Sequence, residues 1–196
     1  EIRLSLVGSE MCIRDSSLTY DVDIQADNTV LGRTTINYDF SSRTAADDPA
    51  VNPPYNGTAD YYTLTQLFVP VGTELTETDN VGINPTVVQQ ESHTLIVSQF
   101  AVPFDSSQRF QFNYHTSAVV ETLGELHRYR LMLQKQPGAR ANVINVQVML
   151  PAGMEMDSSN IAPATSYTIG RQIIEFRVVL VEDQWIELIF SSSDDN

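Results

Sequence analysis

Apolar side chains recur at every second position through most of this chain. Leu18, Tyr20, Val22 and Ile24 alternate with Thr19, Asp21, Asp23 and Gln25, the period of a strand with one dry and one wet face. After a turn at Asp27-Asn28, Val30, Thr34, Ile36, Tyr38 and Phe40 resume the pattern. It predicts further strands near 61–70, 94–103 and 108–115, with a weaker one at 86–91. Later strands are predicted near 126–135, 142–150, 171–181 and 184–191, with a weaker one at 165–169. No segment keeps the helical spacing i, i+3, i+4, i+7 over three turns. The pattern therefore predicts an all-β chain of short strands joined by Pro- and Gly-bearing turns.

The second half repeats the first. Gln66-Leu67-Phe68-Val69-Pro70-Val71-Gly72 returns in type as Gln147-Val148-Met149-Leu150-Pro151-Ala152-Gly153. His93 to Phe100 answers to Arg171 to Val178, and Phe110, Phe112 and Tyr114 answer to Ile186, Leu188 and Phe190. The offset drifts from 81 to 78 to 76, as matched strands with slightly different loops require. Because side-chain period is two, the matched positions should bury the same face in both copies. The expectation is two tandem β-sandwiches of immunoglobulin or fibronectin type, over residues 17–116 and 117–196.

Residues 41–60 break the alternation. Ser, Thr, Asp, Asn, Pro and Gly dominate the stretch, so it reads as one long connection. Asp47, Asp48 and Asp60 offer the oxygen ligands that calcium takes, though their spacing follows no EF-hand order. An ordinary solvated loop is the simpler reading. Tyr55 and Tyr61 could form an aromatic platform for a sugar or a peptide, since tyrosine joins an apolar body to a polar tip. Trp185 matches Arg109 on the polar side of its strand, and a seam between the two units is its expected place.

Residues 1–16 stand apart. Leu6-Val7-Gly8-Ser9-Glu10-Met11-Cys12-Ile13-Arg14-Asp15 resembles a translated sequencing-library adapter. The polar residues in this stretch leave no continuous apolar run for a secretory signal, so residues 1–16 are expected to be a non-native, adapter-derived segment. Cys12 is the only cysteine of the chain, so the segment after it offers neither a thiol nucleophile nor a cysteine zinc site. The formal net charge of −14 and the single lysine, Lys135, argue against nucleic acid as a partner, because phosphate neutralisation needs clustered cations. A protein or a cell-surface glycan fits this acidic surface better.

One run points to a family. Tyr129-Arg130-Leu131-Met132-Leu133-Gln134-Lys135-Gln136-Pro137-Gly138 resembles the hallmark of the bacterial family called domain of unknown function 4012. Asp60-Tyr61-Tyr62 leading to Phe68-Val69-Pro70-Val71-Gly72, and Phe100-Ala101-Val102-Pro103 leading to Phe110-Gln111-Phe112-Asn113-Tyr114, are similar to it as well. Val71 stands where that family usually has lysine, and Thr65-Gln66 where arginine is often found. The resemblance implies the β-rich, C-terminal part of a larger envelope protein, anchored by an N-terminal membrane segment and facing outward. It implies no catalytic residues.

Motifs for chemistry are sparse. His93, His115 and His127 each stand alone among strand residues, and the chain has no Gly-x-Ser-x-Gly elbow, His-Glu-x-x-His helix or phosphate-cradling glycine loop. Glu121 with Glu125, or Asp183 with Glu187, read as solvated strand ends rather than a glycosidase pair. The function expected is a non-enzymatic stalk or interaction module at the cell surface, without a cofactor. Two alternatives stand beside it: a carbohydrate or peptide binder, with or without calcium, and an accessory domain of an enzyme whose catalytic part lies elsewhere. Calorimetric titration separates the readings of the long loop. A solvated loop gives no heat at millimolar calcium, whereas a saturable signal lost in Asp47→Asn/Asp48→Asn makes it a metal site.

Overall fold

The structure is a computed structural model that describes residues 2–4, 15–40, 60–82, 84–117, 119–135 and 142–193. The chain is all-β, and no helix occurs among the described residues. In chain order the strands are β1 (Ile2–Leu4), β2 (Asp15–Ile24), β3 (Val30–Phe40), β4 (Tyr61–Val69) and β5 (Glu74–Asp79). Next come β6 (Thr86–Gln89), β7 (Thr94–Val102), β8 (Ser106–Thr116), β9 (Val120–Leu123) and β10 (Leu126–Leu133). The last are β11 (Asn142–Met149), β12 (Met154–Ser159), β13 (Thr165–Ile169), β14 (Arg171–Leu180) and β15 (Gln184–Ser192).

Alternation locates most of these strands and misses β1, β5, β9 and β12. The last three are short, with polar residues on both faces of Glu74-Leu75-Thr76-Glu77-Thr78-Asp79 and acids or serines through Met154–Ser159. β5 and β12 lie at sheet edges and β9 covers only part of one side of β10, where one row of backbone bonds suffices and no second neighbour demands an apolar face.

Three sheets result. Seven strands run in the order β13-β14-β11-β2-β3-β8-β5; β1, β10, β15 and β12 form a second sheet with β9 also on β10; and β4-β7-β6 form the third. Strand order recurs, with β3-β8-β5 matched by β10-β15-β12 and β4-β7-β6 by β11-β14-β13. Register repeats with it: Phe68 pairs with Leu95 and Met149 with Ile173, the matched positions of the two halves. Even the irregularities recur, with a bulge between Leu75 and Glu77 and another between Met156 and Ser158. Each follows a type II turn in which the amide of Thr73 donates to Pro70 and that of Met154 to Pro151. Gly72 and Gly153 hold the positive φ, 77° and 75°, that the turn requires at its third residue.

The two halves do not stay separate. β2 forms a hairpin with β3 and pairs in parallel with β11, from Leu18 opposite Ile144 to Asp23 opposite Met149. The seven-stranded sheet therefore draws strands from both sides of residue 116.

The matched faces are buried as expected. Phe110, Phe112 and Tyr114 are within 2% of full burial, and Ile186, Leu188 and Phe190 are fully buried. Each such side chain contributes about 1.5–3 kcal/mol through removal from water. The rings of Phe100 and Phe110 stack at 3.8 Å between centroids, with Tyr38 packed at 5.8 Å from Phe100. Deeper, the Tyr114 hydroxyl meets Thr34 Oγ1 at 3.1 Å, while the buried hydroxyls of Tyr20 and Tyr129 have no partner among the described residues. Burial pushes the phenols of Tyr20, Tyr114 and Tyr129 well up from the usual tyrosine range.

Gly32 pairs with Tyr114 across β3 and β8, and the buried ring lies over the glycine, so that an added Cβ would come within 2.8 Å of Cζ. The ring cannot retreat without disturbing Thr34 and Tyr20. Gly32→Ala is expected to destabilise the protein by about 1–3 kcal/mol through overpacking, read as a lowered midpoint in urea unfolding. An unchanged midpoint would show that the ring is free to shift.

Candidate functional site

One face of the seven-stranded sheet covers the core, and the other carries an unbroken row of polar residues. Cross-strand pairing places Thr165, Glu175, Gln147, Asp21, Arg33, Asn113 and Glu77 in line, one from each strand. Directly paired residues share a face of the sheet, so this line is contiguous. Its members hydrogen-bond sideways. Tyr167 Oη and Gln147 Nε2 both donate to Glu175 Oε1 at 3.2 Å. Arg33 Nε donates to Asn113 Oδ1 at 3.0 Å, and Asn113 Nδ2 donates to Glu77 Oε2 at 3.3 Å.

Beside this row lies an ionic clasp between the halves. Arg171, at the start of β14, donates from Nη2 to Asp23 Oδ1 and to the Ile24 carbonyl, each at 2.6 Å, and from Nε to the Leu150 carbonyl at 2.6 Å. Three strands are tied by one guanidinium, whose planar fork of donors suits such bridging.

Between β5 and β11 the polar face dips into a groove of about 340 Å³, lined by Asp21, Asp23, Arg33, Glu77, Asn113 and Gln147, with Leu31 and Met149 as apolar wall. Asp21 is its perturbed carboxyl. Partial burial raises the carboxyl above the usual aspartate range, and the charges of Arg33 and then Arg109 pull it partly back. The groove can thus present carboxylates, amides and a guanidinium to a polar ligand over a small apolar patch, a combination suited to hydroxyl- or amide-bearing molecules.

None of these residues was singled out by sequence motif, because each occupies the wet position of an alternating strand and reads as solvent-facing. Their one sequence signal is composition: Asp, Arg, Asn and Gln, rather than Lys and Glu alone, occupy the outer positions of interior strands.

The described residues expected to act fall elsewhere. Asp47, Asp48 and Tyr55 lie outside the described residues. Asp60 precedes β4, where its Oδ1 accepts the Phe104 amide at 3.3 Å. Tyr61 opens β4 opposite Val102, and its neighbour Tyr62 is 62% exposed. Trp185 pairs with Met132 on the second sheet, partly buried, with the Arg130 guanidinium 5.8 Å above its ring. The histidines remain apart: His93 bonds to Ser92 and leans on Phe68, while His127 stacks on Phe190. No cluster of three or more His, Cys, Asp or Glu suited to a metal ion occurs among the described residues. Glu121 forms ion pairs with Arg128 and Arg130, and the Arg128 bond holds its carboxyl below the usual range. Asp183 accepts the backbone amide of Lys135 at 2.8 Å.

No family model and no curated protein matches this sequence. Among solved structures the chain is similar in fold to a proposed nutrient-binding protein from Legionella pneumophila, with a TM-score of 0.59 at 6% identity over 97% of this chain and 70% of that one. An M1 zinc metallopeptidase from Deinococcus radiodurans aligns with a TM-score of 0.43 at 10% identity, over 91% of this chain and 43% of the peptidase. At such identities the first likeness concerns the fold alone.

The state of Asp21 has a measurable consequence. Its pKa is higher in the folded than in the unfolded protein, so the fold binds this proton more tightly. Stability from this group is present at acid pH and is lost as pH rises through the raised value. Asp21→Asn is expected to raise the thermal midpoint at neutral pH, and the gain should vanish at acid pH, where the carboxyl is protonated in both states. Parallel melts of the two proteins across that range check it.

Proposed function

We propose that this chain is a non-catalytic recognition module made of two tandem immunoglobulin-like units fused edge to edge, and that the polar face of its seven-stranded sheet is its binding surface. The carrying observation is the groove at the middle of that face, where Arg33, Asn113 and Glu77 are hydrogen-bonded in turn across three strands and Gln147 is held by Glu175. Such mutual bonding fixes side-chain rotamers before a ligand arrives and reduces the entropy lost on binding. The resemblance to domain of unknown function 4012 supports placing the module on the outer side of a bacterial envelope, as part of a longer, membrane-anchored protein. The Legionella protein of similar fold is itself described in terms of nutrient binding, which agrees with a ligand-holding role. A polar polymer, cell-surface glycan or peptide, fits the groove.

An immobilised array of oligosaccharides and short peptides tests this with purified protein. The expected result is saturable binding to a subset of probes, at least tenfold weaker in Arg33→Ala/Asn113→Ala while the thermal midpoint stays close to that of the parent. Binding indifferent to that pair, or absent from every probe, would reject this face as the recognition surface.

A further inference from the structure

The repeat exposes a strand position that the chain itself fills only in part. In the seven-stranded sheet, β2 lies between β3 and β11 and pairs with β3 through ten residues. The matching strands of the other two sheets are β10 and β4. A strand between them would complete a sheet of order β12-β15-β10-x-β4-β7-β6, the counterpart of β5-β8-β3-β2-β11-β14-β13. Two short pieces occupy that track. β9 covers β10 only from Leu126 to Tyr129, because the chain arrives there directly from β8. β1 covers Leu131 to Leu133 in parallel and lies against β4 without hydrogen bonds to it. The outer edge of β4 is thus unpaired among the described residues over its whole length.

Two further observations mark this edge as unfinished. Continuing the match of Gln66 to Gln147 back along the strand, Thr63 and Thr65 correspond to Ile144 and Val146, the apolar residues that stand beside β2. Thr63 and Thr65 are 2% and 0% exposed, and neither hydroxyl has a partner among the described residues. A buried hydroxyl without a partner costs about 1–3 kcal/mol. On the outer side, Tyr62 and Leu64 are 62% and 47% exposed, an apolar rim on an open edge of the kind that invites strand pairing.

We propose that the track between β10 and β4 is a strand acceptor, which takes an extended segment of a partner polypeptide with an apolar residue at every second position. The segment enters along the line of β1 and displaces it, running parallel to β10, whereas β2 runs antiparallel to β3 in the matching slot. The β10 side of the track sets the chemistry that is accepted: Leu131 and Leu133 are fully buried and Met132 between them is partly exposed, so a strand in register beside them must alternate apolar and polar positions. On the reading of residues 1–16 as adapter-derived, nothing selected Ile2-Arg3-Leu4 for this seat. Backbone pairing to β10 seats it there, the recognition mode of strand addition. Three residue pairs leave most of β4 available to a longer occupant.

Fluorescence anisotropy with a labelled nine-residue peptide of alternating valine and threonine tests the acceptor. The full chain is compared with Arg3→Pro, which removes a backbone donor from β1 and weakens its pairing. Arg3→Pro is expected to bind the peptide at least tenfold more tightly than the parent. A version of the peptide N-methylated at alternate amides should bind at least tenfold more weakly than the unmodified one. Equal affinity for the two proteins, equal affinity for the N-methylated peptide, or a self-associated dimer that excludes the peptide would each overturn the proposal. Hydrogen exchange on the parent chain gives a reading independent of any substitution. Saturating peptide should slow amides within Tyr61–Val69, and unchanged exchange there would overturn it too.

Discussion

The parallel pairing of β2 with β11 is the constraint on which the rest of the molecule depends. Every other pairing among β2 to β15 joins strands from the same side of residue 116, so each half could in principle build its own layers. β2 alone has one edge in each: ten residue pairs to β3 and a run from Leu18 to Asp23 against β11. Tyr20 and Val22 from this strand enter the common core fully or nearly fully buried. The Arg171 clasp reinforces the same joint, since its donors reach Asp23, Ile24 and Leu150 together.

That joint also creates the candidate site. A sheet of three or four strands has its edges close to every position, whereas the fused sheet has interior strands flanked on both sides. Asp21 lies on such a strand, between Gln147 and Arg33. Its partial burial and raised pKa follow from having neighbours on both sides. The same residue on an edge strand would be hydrated and ordinary. The groove, the desolvated carboxylate and the row of mutual hydrogen bonds are thus consequences of fusion rather than of any local motif.

The fusion has an asymmetric cost. Filling the slot between β3 and β11 uses a free strand, whereas the matching slot between β10 and β4 must be entered by a chain coming straight from β8. Only four residues of β9 reach it. One junction between the halves therefore has a finished sheet and the other a divided one. The contrast between Ile144 and Val146 on one side, and Thr63 and Thr65 on the other, tracks that difference in neighbours.

Particular residues show how far the sequence alone could go. Leu18, Tyr20, Val22 and Ile24, like Phe110, Phe112 and Tyr114, declare a strand and its buried face, because period-two alternation is a local property and burial follows from it. The Pro-x-Gly turns at Pro70 and Pro151 declare themselves too, since only glycine holds their positive φ without strain. The bulged edge strands β5 and β12 do not, because an edge strand needs no apolar face to be bonded. Nor do Asp21, Arg33, Asn113 and Gln147, whose strand positions read as wet whether the sheet ends beside them or continues for three more strands. What the sequence determined by itself was thus most of the strands and their inward faces, both set by interactions within a few residues. Which strands became neighbours, and so which polar residues were brought into one row and which edge was left open, depended on pairing between β2 and a strand more than a hundred residues away. Backbone hydrogen bonds are alike at every strand, so only the closing of the whole core could choose among them.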